Sequence, residues 1–313
     1  MSISPARTPA GAPAATAARP AIGWRPKFLL LALVWGTSFV FIGVAAQALD
    51  PIQITLGRML TGLLPLAGVL LLRGGRLPRE PRIWLHLSVT SFFLNVVPFT
   101  LFGHAGQLIP SALSGICNAA TPLFALVFSL VLLTDERPTR ARLTGLLLGF
   151  VGVLVVFGVW TGFAGAGSTG MLLAVAAALC YGIGTPYLRR FVAGSGHTPL
   201  ELSTAQLLAG SVQIAVAAAL FTDAPGAVPL PVIGSVVALG ALGTGLAYVL
   251  QYAIVREAGA TVAATVTYLV PVVAIAAGVL LLGEDLAWNQ PVGALVIIAG
   301  AALAQYRPRR ARR

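Results

Sequence analysis

The sequence predicts an all-α polytopic membrane protein whose ten transmembrane helices form two inverted five-helix repeats. Three observations carry that expectation. The 313-residue chain is 58% hydrophobic and only 9% charged, with a mean hydropathy of +0.91, whereas soluble domains average about 45–50% and about 25%. So few charges cannot cover a water-facing surface, and lipid must be the solvent. The basic residues crowd onto alternate connections, and the two halves of the chain resemble each other.

Residues 1–27 read as a disordered cytoplasmic tail, because the Pro-, Ala- and Thr-rich stretch lacks apolar periodicity. A span needs about 20 mainly apolar residues, within a range of about 17–25. By that measure the first repeat, 28–160, holds Phe28–Ala48, Ile52–Leu72, Trp84–Phe102, Ser111–Leu133 and Leu143–Trp160. The second, 170–305, holds Met171–Leu188, Leu202–Phe221, Pro231–Ile254, Ala260–Leu282 and Val292–Gln305, and a basic tail, 306–313, follows. Ala46-Gln47-Ala48 resembles a signal-peptide cleavage site. The apolar stretch before it outruns an h-region of about 7–15 residues, so it is read as a retained span.

The connections test this division. Arg7, Arg19, Arg25 and Lys27 precede the first span, and Arg73, Arg76, Arg79 and Arg82 fill the second connection. Arg137, Arg140 and Arg142 fill the fourth, Arg189 and Arg190 the sixth, Arg256 the eighth, and five arginines from Arg307 to Arg313 the C-terminal tail. The odd-numbered connections carry no Lys or Arg, and of the 20 basic residues only Arg58 falls inside a span. Positive charge is retained on the cytoplasmic side, which predicts an inner-membrane protein with both termini cytoplasmic. One helix more or fewer would scramble the alternation. The clusters suit anionic lipid at that face, and their juxtamembrane placement argues against nucleic acid as the partner.

The repeat is visible in Pro51-Ile-Gln-Ile-Thr-Leu-Gly-Arg58-Met-Leu-Thr-Gly62 beside Pro199-Leu-Glu-Leu-Ser-Thr-Ala-Gln206-Leu-Leu-Ala-Gly210. Trp35-Gly36 pairs with Tyr181-Gly182, and Thr121-Pro122 with Val270-Pro271. With five spans in each half, equivalent helices run in opposite directions, an architecture common among transporters. On Trp35-Gly36-Thr37-Ser38-Phe39, Arg58, Pro122, Glu136-Arg137, Gly145 and Gly149, then Gly243-Thr244-Gly245-Leu246-Ala247-Tyr248, Leu269-Val270-Pro271-Val272, Gly283-Glu284, Gly293 and Gly300, the chain resembles the EamA-type branch of the drug/metabolite transporter superfamily. The resemblance runs from Phe28 to Gln305 and implies export of metabolites, amino-acid-like compounds or drugs. Tyr181 departs from it, since tryptophan is frequent there. The carboxylate that small multidrug relatives carry in their first helix is also absent.

Several residues could carry the transport chemistry. Arg58 lies roughly 10 Å inside its span at about 1.5 Å rise per residue, where burial of a charge costs about 2.5–3.5 kcal/mol. It could hold a substrate carboxylate bidentately, or instead cap carbonyls of a neighbour or snorkel outward. Pro122 and Pro271 leave the carbonyls of Asn118 and Thr267 without an intrahelical donor, which predicts breaks near Asn118 and Tyr268, either lining a polar cavity or serving as packing kinks. Tyr248, Gln251 and Tyr252 share one helical face, Asn95 and Phe99 another, Trp35 and Ser38 a third, while Gln206 replaces Arg58 in the second half. As a set they suit an amphiphilic small molecule; singly, each could be an interhelical hydrogen bond or an interfacial anchor. Gly145-Leu-Leu-Leu-Gly149 predicts close helix packing within the chain or between chains, which leaves monomer and homodimer open.

Other classes find little support. Cys117 and Cys180 lie in apolar runs, and His86, His104 and His197 are scattered, so no metal site or cofactor is expected. All nine acidic residues occupy connections or span ends. That argues against a membrane-embedded enzyme built on paired carboxylates, and for transport that is facilitated or coupled through the substrate's own charge. A scaffold or lipid-binding protein without turnover is the alternative, one that the polar residues inside the spans argue against.

Overall fold

A computed structural model describes residues 23–133, 139–161, 165–258 and 260–305. Both expected tails, apart from Gly23–Lys27, and Glu136-Arg137 lie outside the described residues. Among the described residues nine helices are long and apolar enough to cross a membrane: α1 (Trp24–Ala45), α2 (Pro51–Leu72), α3 (Pro81–Gly106), α4 (Ser111–Leu132), α5 (Arg140–Phe157), α6 (Gly167–Phe191), α7 (Pro199–Phe221), α8 (Leu230–Ala258) and α9 (Val262–Leu282). A tenth, α10 (Asn289–Ala304), is apolar and shorter. No strand forms among them. The protein is an all-helical, multi-pass membrane protein.

Local chemistry sets the starts of the central helices. Asp50 caps α2 by accepting from Ile52 N at 2.8 Å, while Gln53 Oε1 accepts from Asp50 N at 3.1 Å. Thr198 and Glu201 reproduce this capping box on α7, and in both helices proline follows the cap. The same side chains reach across the repeat. Gln53 Nε2 donates to the Asp223 carbonyl at 2.8 Å, tying the start of α2 to the exit of α7. Glu201 accepts from Arg76 N at 3.4 Å, tying the start of α7 to the exit of α2.

Helix α1 packs on α8 and α9, as α6 packs on α3 and α4; α2 packs on α7 and α8, as α7 packs on α2 and α3. Two further pairs, α4 with α9 and α5 with α10, map onto themselves. Exchanging the halves leaves these main pairings in place, as an inverted repeat requires, whereas the contacts of α4 with α1 and α10 have no counterpart of similar extent. Glycines permit the close approaches: a methyl on Gly36 would fall 2.4 Å from Val273 Cβ of α9, and one on Gly182 would fall 2.3 Å from Phe124 Cβ of α4.

Charge separates the two ends of the bundle. Arg25, Lys27, Arg73, Arg76, Arg79, Arg82, Arg140, Arg142, Arg189, Arg190 and Arg256 gather at one, where Lys27 meets Glu257 and His197 meets Glu80. Asp50, Asp223, Glu284 and Asp285 mark the other, which carries no Lys or Arg among the described residues. These are called the basic and acidic ends below.

Four departures from straight α-helix shape the interior. Ahead of Pro122, α4 breaks at Ala119 and Ala120; ahead of Pro271, α9 passes through a 3-10 turn at Thr265–Tyr268. Both follow from the amide hydrogen that proline lacks. The other two are π-turns, at Phe92–Val96 in α3 and Ala241–Leu246 in α8, again at equivalent places in the halves. Each adds a residue to one turn and rotates the following face by about 100°, given 3.6 residues per turn.

Gly145 and Gly149 pack within the chain. A methyl on Gly145 would fall 2.5 Å from the Gly300 carbonyl oxygen, and one on Gly300 would fall 2.5 Å from Gly149 N. Gly152 and Gly293 continue this backbone-to-backbone contact between α5 and α10. Gly300→Leu is therefore expected to destabilise the detergent-solubilised protein by about 1–3 kcal/mol, the usual range for overpacking. Gly68→Ala, with nothing within 4 Å of the new methyl, should melt like wild type. Equal melting of Gly300→Leu and wild type would show that α5 and α10 do not pack this way.

Candidate functional site

A cavity of about 340 Å³ lies in the middle of the bundle, enclosed by α1, α2, α3, α4, α6, α8 and α9. Of the residues singled out in the sequence, Trp35, Ser38, Arg58, Phe99, Asn118, Pro122, Tyr248 and Gln251 line it. Phe102, Thr121, Tyr181, Thr185 and Thr244 join them.

Arg58 is the centre of its polarity. It is 7% exposed, and its Nε donates to Thr244 Oγ1 at 3.1 Å. The guanidinium lies over the Phe99 ring, with Cζ 3.7 Å from the centroid. In a desolvated site such a cation–π contact contributes about 2 kcal/mol. Thr244 is held in turn by donating to the Leu239 carbonyl at 3.3 Å, a carbonyl five residues back that the π-turn exposes. Arginine has five N–H donors, and only Nε is engaged by the protein among the described residues. No carboxylate there pairs with Arg58. The site thus borders its cavity with a cation whose counter-charge the described protein does not provide.

Asn95 and Gln206 stand one layer behind. Gln206 Nε2 donates to Asn95 Oδ1 at 2.7 Å, and Asn95 Nδ2 donates to Tyr248 Oη at 3.0 Å. Ser91 adds a donation to Asn95 Oδ1 at 3.3 Å. Because Tyr248 Oη accepts from Asn95, its own proton is left for another acceptor, and Tyr248 lines the cavity. Asn95 itself is fully buried: it sits in the α3 π-turn and pairs with α7, so it supports the wall without forming it. The aromatic side of the cavity is continuous. Phe102 meets Phe39 edge-on at 5.2 Å and Tyr181 at 6.2 Å.

Three other expected residues lie away from the cavity. Tyr252 turns to α7 and hydrogen-bonds Ser203. Tyr268 packs on the core cluster that includes Phe39 and Ala274, with its hydroxyl buried and unpartnered among the described residues. Pro271 is buried behind the break it causes. Of the residues the sequence reading passed over, Tyr181 had a signal in its alignment with Trp35, and Thr244 in the Gly243-Thr244-Gly245 run. Thr185 and Phe102 had only their turn-by-turn spacing from Tyr181 and Phe99.

Toward the acidic end α4 and α9 meet in a seam. Glu284 accepts from Ser111 N at 2.7 Å and from Ala112 N at 2.9 Å, capping α4 with a carboxylate from the turn after α9. Deeper in, Gly115 lies against Ala274, with 2.3 Å between a methyl on the glycine and Ala274 Cβ. The repeat equates Pro122 with Pro271, and so Gly115 with Ala264 and Ala274 with Ala125. Ala125 and Ala264 both line the cavity. The Gly115–Ala274 pair is in contact, whereas both members of its equivalent border the cavity.

The profile of the EamA-like transporter family matches residues 26–158 and again 168–306. An uncharacterized transporter of Archaeoglobus fulgidus is 26% identical over 289 residues, 88% of this chain and 96% of that protein. The uncharacterized inner membrane transporter YedA of Escherichia coli K12 is 25% identical, covering 87% of each chain. A probable amino-acid metabolite efflux pump of Salmonella typhimurium is 26% identical, over 87% of this chain and 91% of its own. One solved crystal structure superposes with a TM-score of 0.65 at 24% identity, covering 90% of this chain and 96% of its own, a likeness of fold. Two consecutive family matches, over a bundle whose main helix pairings survive exchange of its halves, establish that the chain belongs to the EamA-like transporter family.

Proposed function

We propose that the protein exports small amphiphilic metabolites bearing a carboxylate or comparable anion, amino-acid-like compounds or drugs among them, across the inner membrane by alternating access. The observation that carries this reading is Arg58: a buried guanidinium bordering the cavity, backed by Phe99 and steadied by Thr244, with no carboxylate beside it among the described residues. Keeping a charge at such depth costs about 2.5–3.5 kcal/mol even on lenient scales. A bound anion would offset that cost, and Arg is suited to bidentate pairing with it. Aromatic faces from Trp35, Phe99 and Tyr181 would hold the apolar remainder. The names of the Salmonella and Escherichia coli relatives support efflux and the inner membrane.

The positive-inside rule supports a cytoplasmic basic end. On that orientation the cavity faces the cytoplasm and the α4–α9 seam closes the periplasmic side. The close Gly115–Ala274 contact, with the equivalent Ala264 and Ala125 bordering the cavity, supports a rocking cycle in which the two pairs exchange roles. The described carboxylates stand at helix ends or in connections, away from the cavity. Transport would then be facilitated, or coupled through the charge of the substrate, with no membrane carboxylate relaying protons.

Three experiments test this reading. With a carboxylate substrate found by resistance screening, Arg58→Ala should lower efflux by about tenfold or more, the scale of a lost buried charge pair, while leaving membrane insertion intact. Normal export by a correctly inserted Arg58→Ala variant would remove Arg58 from recognition. In a Cys117→Ser/Cys180→Ser background, an Ala125→Cys/Ala264→Cys pair should cross-link slowly on oxidation and arrest transport; a cross-linked protein that still exports would contradict the rocking cycle. Reporter fusions after Arg79 and Arg256 should report cytoplasm, and those after Asp223 and Glu284 periplasm; the reverse pattern would invert the proposed direction.

A further inference from the structure

A second recess lies outside the central cavity, on the surface between α2 and α7 at the basic end. Its walls are apolar, with Leu63, Ala67 and Leu71 on α2 and Leu208 on α7, and its volume is about 550 Å³. The chain leaving α2 closes the end of this groove with Arg76 and Arg79. The closure is built. Gly74 adopts φ +65°, a conformation that favours glycine, and Gly75 N donates back to the Leu70 carbonyl at 3.0 Å. This helix-ending turn folds the connection over the last turn of α2. The backbone of the connection is then pinned: Arg76 N donates to Glu201 at 3.4 Å, and Arg79 N to Glu80 at 3.1 Å.

The two carboxylates nearest the rim are engaged elsewhere as well. Glu201 caps α7 through Thr198 N, and Glu80 bonds His197. Among the described residues neither Arg76 nor Arg79 forms a side-chain ion pair, and both are exposed. A trough of hydrocarbon therefore ends in two guanidiniums at the level where the bundle leaves the membrane. Guanidinium pairs phosphate through parallel N–H donors, and the leucine walls match an acyl chain. We propose that this α2–α7 groove binds one anionic phospholipid, its phosphate on Arg76 and Arg79 and an acyl chain along Leu63, Leu71 and Leu208.

The repeat provides an internal comparison. Pro199 lies 148 residues after Pro51, and the same shift takes Gly75 to Asp223, Arg76 to Ala224 and Arg79 to Ala227. At the acidic end the equivalent positions thus carry no cation and one carboxylate. The fold demands neither arginine, since its own second copy does without them. The site is specific to one leaflet, and it stands independently of any substrate in the central cavity.

The test uses the full chain purified in neutral detergent, with lipid retention read by native mass spectrometry. Dioleoylphosphatidylglycerol should be retained as a single preferred adduct over dioleoylphosphatidylcholine. Retention should fall by about fivefold for each guanidinium removed in Arg76→Gln and Arg79→Gln, the scale set by one cation near an anionic lipid. Ala67→Trp, which fills the groove and keeps both arginines, should also weaken it. Arg73→Gln/Arg82→Gln, outside the groove, should leave it unchanged. Equal retention of the two lipids would overturn the proposal. So would an Arg73/Arg82 pair as damaging as the Arg76/Arg79 pair, which would mean a diffuse basic surface, or full competition by soluble glycerol phosphate, which would mean a headgroup anion alone. Arg76→Lys/Arg79→Lys, keeping charge without the fork, gives a second reading: it should retain the lipid preference in weakened form, and complete insensitivity would equally refute the site.

Discussion

The interior of this protein is organised by the need to keep one guanidinium soluble in a setting that would otherwise expel it. Arg58 sits where lipid would surround an isolated helix, and every neighbour meets part of its demand. Phe99 offers a π-face at 3.7 Å and Thr244 an acceptor at 3.1 Å, and the α8 π-turn exists at the place that lets Thr244 serve. What these neighbours do not supply is negative charge. A buried cation left with dipoles and an aromatic face is an incomplete electrostatic arrangement, and that incompleteness beside a cavity is what the proposed anion recognition rests on.

The repeat explains how such a site arises between two similar halves. Equivalent positions are occupied by residues of different chemistry, and the differences converge. Arg58 faces the cavity, whereas its counterpart Gln206 donates to Asn95 and, through it, supports Tyr248. Trp35 and Tyr181 both line the cavity. The scaffold keeps the symmetry: capping boxes on α2 and α7, proline breaks in α4 and α9, and π-turns in α3 and α8. The polar interior abandons it. The same contrast appears in the α4–α9 pairs, where Gly115 and Ala274 are in contact and the equivalent Ala264 and Ala125 border the cavity.

Charge is asymmetric for a separate reason. The capped start of α2 and the capped start of α7 are near copies, yet the connections beyond their far ends differ, Arg76 and Arg79 in one and Ala224 and Ala227 in the other. Packing is indifferent to that difference, since both connections lie at the surface. Topology and lipid are sensitive to it. The sorting of cations to one end of the bundle and the lipid proposed for the α2–α7 groove therefore rest on one distribution.

The sequence alone determined whatever depends on local composition and spacing. Span number followed from apolar length and from the alternation of arginines, and the breaks at Pro122 and Pro271 followed from a missing amide hydrogen. Arg58, Trp35 and Tyr248 could be singled out because polar or aromatic groups inside apolar runs are visible one residue at a time. Tertiary structure decided what depends on a partner from another helix. The π-turns leave no periodic signature, yet they rotate Asn95 into a layer behind the cavity and bring Thr244 onto Arg58. Tyr252 and Tyr268 had the right spacing and the wrong surroundings, since a helical wheel assigns a face to a side chain without saying which helix meets it. Gly145 and Gly149 announced close packing, and only the fold showed that α10 of the same chain is what packs there.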